Sequence, residues 1–155
     1  MRAVTRALPM LRPAHTLRIV TLPAGLDPDD LIKRVVALPG DRIAVVGGQI
    51  ILNGKPVPRE KVDDYVGDLD GEKGNWTQYR ETLPGGKSYV TLDKTTEGPL
   101  DNTEEFVVPP DHYFMMGDNR DNSDDSREAV GFVPAENLEG KALFRFFSTD
   151  GSARI

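Results

Sequence analysis

Residues 113–127 read YFMMGDNRDNSDDSR. Four apolar side chains, Tyr113, Phe114, Met115 and Met116, run straight into Gly117, Asp118 and Asn119, which are turn formers. The stretch therefore predicts a strand that stops at 116 and a bend that starts at 117. Behind it Arg120, Asp121, Asn122, Ser123, Asp124, Asp125, Ser126 and Arg127 form an unbroken polar run. Two arginines among so many short hydrogen-bonding side chains suit a loop folded back on itself. Asp and Arg pair bidentately, and Ser and Asn satisfy backbone groups without regular structure. On composition alone, a surface loop of solvated charges is the plainer reading.

Working outward, residues 31–38 (LIKRVVAL) form the strongest strand signal, rich in Val, Ile and Leu and closed by Pro39-Gly40-Asp41. Alternation puts Leu31, Lys33, Val35 and Ala37 on one face and Ile32, Arg34 and Val36 on the other. Residues 42–46 and 49–53 flank Gly47-Gly48, a two-residue hairpin signal. Asn53-Gly54-Lys55 is a further turn, and Val57 falls in an edge strand broken by Pro56 and Pro58. Residues 77–83 and 88–92 form a second hairpin around Pro84-Gly85-Gly86, and residues 94–104 a polar loop. Residues 105–108, 113–116, 129–133 and 141–147 read as strands, with one helical turn at 134–137. A strand is also expected at 16–22, with turns at 23–25 and 27–30. Residues 63–74 (DDYVGDLDGEKG) read as an acidic loop. Asp63, Asp64, Asp68, Asp70 and Glu72 invite calcium, but the ligand order of an EF-hand loop is not met.

The whole is an all-β chain. Its 155 residues fit one domain. With 28% charged and 38% hydrophobic residues it reads as globular, and 15 Gly with 12 Pro favour short strands and turns. A net charge of −6 argues against nucleic acid as a partner. The chain has no cysteine, which excludes disulfides, thiolate catalysis and cysteine metal sites. His15 and His112 are the only histidines, so a His-based triad or zinc site is not expected; His112 reads as a turn residue. Trp76, Phe106, Phe114 and Phe132 read as core. No apolar run reaches the roughly 18 residues that a spanning helix needs. Residues 1–17 carry no acidic residue and four basic ones, and are broken by Pro9 and Pro13.

Two stretches resemble boxes of the bacterial type I signal peptidases. GDNRDNSDDSR, residues 117–127, matches every fixed position of the box G-D-N-R-x-N-S-x-D-S-R. KRVVALPGD, residues 33–41, matches the lysine box, departing at Ala37 where the family usually has Gly. Residues 130–134 and 138–142 also fit, and the resemblance spans roughly residues 27–147. It implies the signal peptidase fold: an antiparallel β-sheet core with a β-rich insertion, placed here at about residues 54–102. Residues 1–22 are then an atypical, poorly ordered N-terminal segment and 23–155 the catalytic core.

Lys33 is the sharpest candidate in the residues themselves. A lysine becomes a general base only when desolvation or a neighbouring cation brings its pKa from ~10.4 toward ~7–8. Leu31 and Val35 on its face offer the desolvation and Arg34 the cation. The resemblance makes Lys33 the base of a Ser-Lys dyad, a variant of the serine triad, and Ser123 the residue that orients its amine. It also makes Asp125 and Arg127 a supporting ion pair. Arg34, on the opposite face, needs a carboxylate if buried, and Asp118 is the expected partner. Arg120 belongs to the same supporting set, and Ser126 and Asn119 are expected to satisfy the loop. No metal or organic cofactor is expected.

The family draws its nucleophile from an S-M-x-P-T box upstream of the lysine. No such box occurs here, and the first serine of the chain is Ser88. The expectation is a serine endopeptidase by family that, as given, does not cleave peptides. A gene fragment, a wrong start or an upstream frameshift would account for residues 1–17. The family's partners are the signal peptides of secretory preproteins and the membrane surface, at the outer face of the bacterial cytoplasmic membrane. Two other readings stand: a non-catalytic remnant that binds peptide by strand addition, and a self-cleaving repressor-type Ser-Lys peptidase.

Overall fold

The computed structural model describes residues 17–20, 31–69 and 71–141. Twelve strands follow in chain order: β1 Leu17–Val20, β2 Leu31–Ala37, β3 Arg42–Val46, β4 Gln49–Leu52, β5 Lys55–Pro56, β6 Arg59–Leu69, β7 Glu72–Thr82, β8 Ser88–Asp93, β9 Phe106–Val107, β10 His112–Met116, β11 Val133–Pro134 and β12 Leu138–Lys141. Among the described residues one 3₁₀ turn, Ala135–Asn137, precedes β12. They form three sheets, ordered β11-β10-β2-β1-β12, β5-β4-β3-β9 and β6-β7-β8. Every strand pairing is antiparallel, so the chain is all-β. The turns expected at 23–25 and 27–30, and all but the first residue of the strand expected at 141–147, lie outside the described residues, as does most of the N-terminal segment 1–22.

Strand β2 is central in its sheet, between β1 and β10. That position explains its continuous apolar run: Val35, Val36 and Ala37 are all buried. A bulge pairs Phe114 with Ala37 and Met115 with Val35, so β2 holds one extra residue, Val36, at that point. The two faces then feed two clusters. Phe114 and Met116 join Val36, Ala37, Ile43, Val45, Ile50 and Leu52, while Met115 joins Val35, Val130 and Val133. Phe106, Phe114 and Phe132 stack mutually with centroids 5.3–6.3 Å apart. Fully burying a side chain such as Phe114 or Ile43 contributes on the order of 2–3 kcal/mol. The β3–β4 turn places Gly47 at φ +56 and Gly48 at φ +74, the left-handed pair that a two-residue hairpin requires.

Four expectations change. Residues 63–69 and 72–74 are not a loop but the outer half of a long hairpin, with Tyr65 opposite Trp76 and Gly67 opposite Gly74. Asp and Gly disfavour strands, but β-propensity yields to cross-strand packing. The Tyr65 and Trp76 rings lie 6.0 Å apart and lean over the facing glycines, where an added Cβ would collide with them. The strand expected at 129–133 shrinks to β11, because Gly131 takes φ +61 and residues 126–130 are turns. His112 opens β10 instead of sitting in a turn, its Nδ1 2.8 Å from the Pro110 carbonyl. Val57 lies past the end of β5 and is buried, its N–H bonded to Ile50 O.

Candidate functional site

The register between β10 and β2 places Met116 opposite Arg34, one residue from Lys33. The chain leaves β10 at Gly117, so the polar bend starts beside both cations. It returns so that Ser123 Oγ lies 2.7 Å from Lys33 Nζ, which donates to it. On the opposite face Arg34 donates from Nε and Nη2 to the two oxygens of Asp118, each at 2.8 Å. The Arg34 guanidinium carbon also stands 3.9 Å from the Tyr89 ring centre.

The bend is held by buried ionic bonds. Arg127 donates to Asp125 from Nε at 2.9 Å and Nη2 at 2.8 Å, and Nη2 also reaches Arg120 O at 2.7 Å. Asp125 Oδ2 accepts the Gly117 N–H at 3.0 Å. Arg120 donates from Nε to Gly117 O and from Nη2 to Glu81 Oε2 at 2.5 Å. Ser126 Oγ accepts the Met115 N–H. The buried Oδ1 of Asn119 has no partner among the described residues, while its backbone carbonyl accepts the Asn122 N–H. The backbone closes the unit against β8, with Leu92 N bonded to Asp118 O and Arg120 N to Leu92 O, both 2.8 Å.

Gly117 is required by space. A Cβ there would stand 2.6 Å from Ser123 Cβ, closer still to its Oγ, and 3.5 Å from Lys33 Nζ. No larger side chain fits without displacing Ser123.

Burial lowers the Lys33 pKa from its ordinary value, against Asp125, Asp124 and Asp118, which raise it; the cation that assists is Arg127. The expected cation, Arg34, is instead engaged by Asp118. With a folded pKa below the unfolded ~10.4, the unfolded chain binds the extra proton between the two values. Stability therefore rises as pH climbs through that window. Lys33→Met should flatten the rise, checked by urea midpoints at neutral and alkaline pH.

A second acidic group flanks the bend. Asp93, Asp101 and Asp121 bring one carboxylate oxygen each within 4.8 Å of one another, and are the described residues best placed for a cation. Each also has a protein donor: Arg59 on Asp93, the Gly98 N–H on Asp101, and the Lys94 and Thr95 N–H groups on Asp121. Burial pushes Asp93 up to about 6, past the opposing pull of Arg59 and helped by Asp121 and Asp101. The folded state then holds a proton that the unfolded chain releases. Stability should fall as pH rises from about 4 to 6, and thermal melts across that window check it.

Sequence reasoning missed Arg59, Glu81, Tyr89 and Asp93. Glu81 and Asp93 are buried at 0% and 2% exposure. Nothing in RETL or SYVTLD marks them, since a polar residue in a hairpin strand reads as solvent-facing.

The half-buried Lys33 amine is hydrogen-bonded to the Ser123 hydroxyl, and a lysine amine beside a hydroxyl is the pairing on which Ser-Lys hydrolases are built. The chain belongs to the signal peptidase family: the model described as signal peptidase, peptidase S26, matches residues 2–147. It is 43% identical over 124 residues to signal peptidase I of Rickettsia typhi and 42% identical to that of Rickettsia prowazekii. Each alignment covers 76% of this chain and 46% of the relative, so the chain spans about half the length of the curated relatives it matches. A crystal structure of a signal peptidase I from Enterococcus faecalis V583 aligns at TM-score 0.47 and 25% identity, over 84% of this chain and 97% of that one. Among the described residues no helix is long and apolar enough to cross a membrane.

Proposed function

We propose that this chain carries the base half of a signal peptidase I-type serine endopeptidase site, directed at signal peptides of exported proteins on the outer face of the bacterial cytoplasmic membrane. Neutral Lys33 removes the proton from a nucleophilic hydroxyl as it attacks the scissile carbonyl. Ser123 holds the amine in line, while Arg34, Asp118, Arg120, Asp125 and Arg127 keep the bend in place. The observation that carries this reading is the 2.7 Å contact between Lys33 Nζ and Ser123 Oγ, at an amine whose pKa burial lowers. No step calls for a metal or organic cofactor.

We further propose that these 155 residues do not supply the nucleophile. No serine precedes Ser88 in the sequence, so the 155-residue chain is proposed to be inactive. A signal-peptide cleavage assay tests this beside a version carrying an S-M-x-P-T segment upstream of Lys33. The expected result is cleavage by the restored version, abolished by Lys33→Ala, and none by the chain itself. Cleavage by the unrestored chain would overturn the inactivity. A folded restored version without activity would overturn the base assignment.

A further inference from the structure

We propose that Glu81 and Tyr89 are positioning residues of the Lys33 site, through which the three-stranded sheet sets the bend that carries Ser123. The proposal rests on the reading of Lys33 as the base.

Glu81 lies in β7 and Tyr89 opposite it in β8, and both are buried. The Tyr89 hydroxyl donates to Glu81 Oε2 at 2.8 Å, and the same oxygen accepts Arg120 Nη2 at 2.5 Å. One carboxylate oxygen thus joins two arms. The first runs through Arg120, whose Nε donates to Gly117 O. The second runs through the Tyr89 ring to Arg34, which grips Asp118. Both arms end on residues 117–118, and Gly117 is the residue packed against Ser123 and Lys33. Burial and the adjacent Glu81 charge keep Tyr89 un-ionised, so its hydroxyl stays a donor.

The arrangement has no spare partner. Arg120 Nη1 and Glu81 Oε1 are buried without hydrogen bonds among the described residues. Arg59 Nε forms a longer ion pair with Glu81 Oε1, at 3.6 Å. Without Glu81 the buried Arg120 head is left uncompensated, and such a charge is costly enough to move the loop that carries it. The bend then shifts relative to β2, water reaches the Lys33 amine, and the desolvation that lowers its pKa weakens.

The test is the pH profile of Lys33 acylation by an N-hydroxysuccinimide ester, read by peptide mass spectrometry. The midpoint reports protonation, and the plateau reports access. Glu81→Gln and Tyr89→Phe are compared with the exposed control Glu105→Gln, after circular dichroism confirms folding. The expected result is a midpoint raised by about half a pH unit or more in Glu81→Gln, a smaller rise in Tyr89→Phe, and none in the control. Tyr89→Phe keeps the ring beneath Arg34 and serves alone if Glu81→Gln does not fold. An unmoved midpoint in a folded variant overturns the proposal, because a merely structural role would alter stability without altering Lys33. A parent-chain midpoint at the ordinary lysine value would instead sink the base assignment, so the two failures are distinguishable.

Discussion

Gly117→Ala breaks the contact between Lys33 and Ser123. The new methyl would occupy the volume of the Ser123 side chain and come within 3.5 Å of the amine. Neither neighbour can give way freely. Ser123 sits between Asn122 and Asp124 in a bend pinned by Asp125 and Arg127, and Gly117 itself is tied by its N–H to Asp125 and its carbonyl to Arg120. Overpacking of this kind costs about 1–3 kcal/mol in stability. Its effect on the site is larger, since displacing a catalytic group by about 1 Å lowers rates by about 100-fold. Cleavage by the version carrying the S-M-x-P-T segment should therefore fall by about that factor, and the Lys33 acylation midpoint should move. Gly131→Ala is the matched control. It is strained by φ +61 but has nothing within 4 Å of the new methyl, so it should leave the midpoint alone. Equal midpoints in Gly117→Ala and the parent chain would show that the Ser123 contact does not govern Lys33.

The second large effect belongs to Asp125. Its carboxylate is fully buried and takes two bonds from the almost fully buried Arg127 head, plus the N–H groups of Gly117 and Arg127. Asp125→Ala removes all of them and strands a guanidinium away from water. Breaking a buried pair from one side costs about 3–5 kcal/mol. Replacing both partners should cost less, so Asp125→Ala with Arg127→Met should be milder than the sum of the single changes. Urea denaturation of the four proteins measures the difference. Acid gives an independent check. Burial alone would raise the Asp125 pKa, but the bonds and charge of Arg127 hold it below the ordinary value. Its contribution is therefore complete above the unfolded pKa of ~3.9 and is lost as pH falls through the lower folded value. A stability curve flat below pH 4 would count against the pair.

The strands flanking the bend were legible because their burial is local and periodic. Residues 35–37 and 114–116 are apolar on both faces because β2 and β10 pair inside one sheet with core on either side. The β3–β4 hairpin was legible from Gly47-Gly48 alone. The pairing of Arg34 with Asp118 followed from an arginine among apolar neighbours. The outer half of the β6–β7 hairpin was not legible, because its acidic and glycine residues carry loop chemistry. The strand exists through Tyr65 and Trp76 covering Gly67 and Gly74 across the register, a long-range fact absent from either segment alone. Glu81 was illegible for the same reason. Its burial is created by Arg120, 39 residues later in the chain.

The bend against Leu92 has a last consequence, for how this protein behaves among copies of itself. It occupies the outer margin of β8 with two backbone bonds and a parallel bridge, so β8 has no vacant ladder there to offer another molecule. The opposite margin of that sheet is β6, where Glu60, Lys61, Asp63, Asp64 and Asp68 place charge along most of the strand and the Lys61–Asp63 irregularity breaks the repeat. Charges and bulges along an open margin deter lateral fusion of sheets. The same fold that seats Ser123 against Lys33 thereby makes the margins of the long hairpin's sheet less suited to lateral pairing.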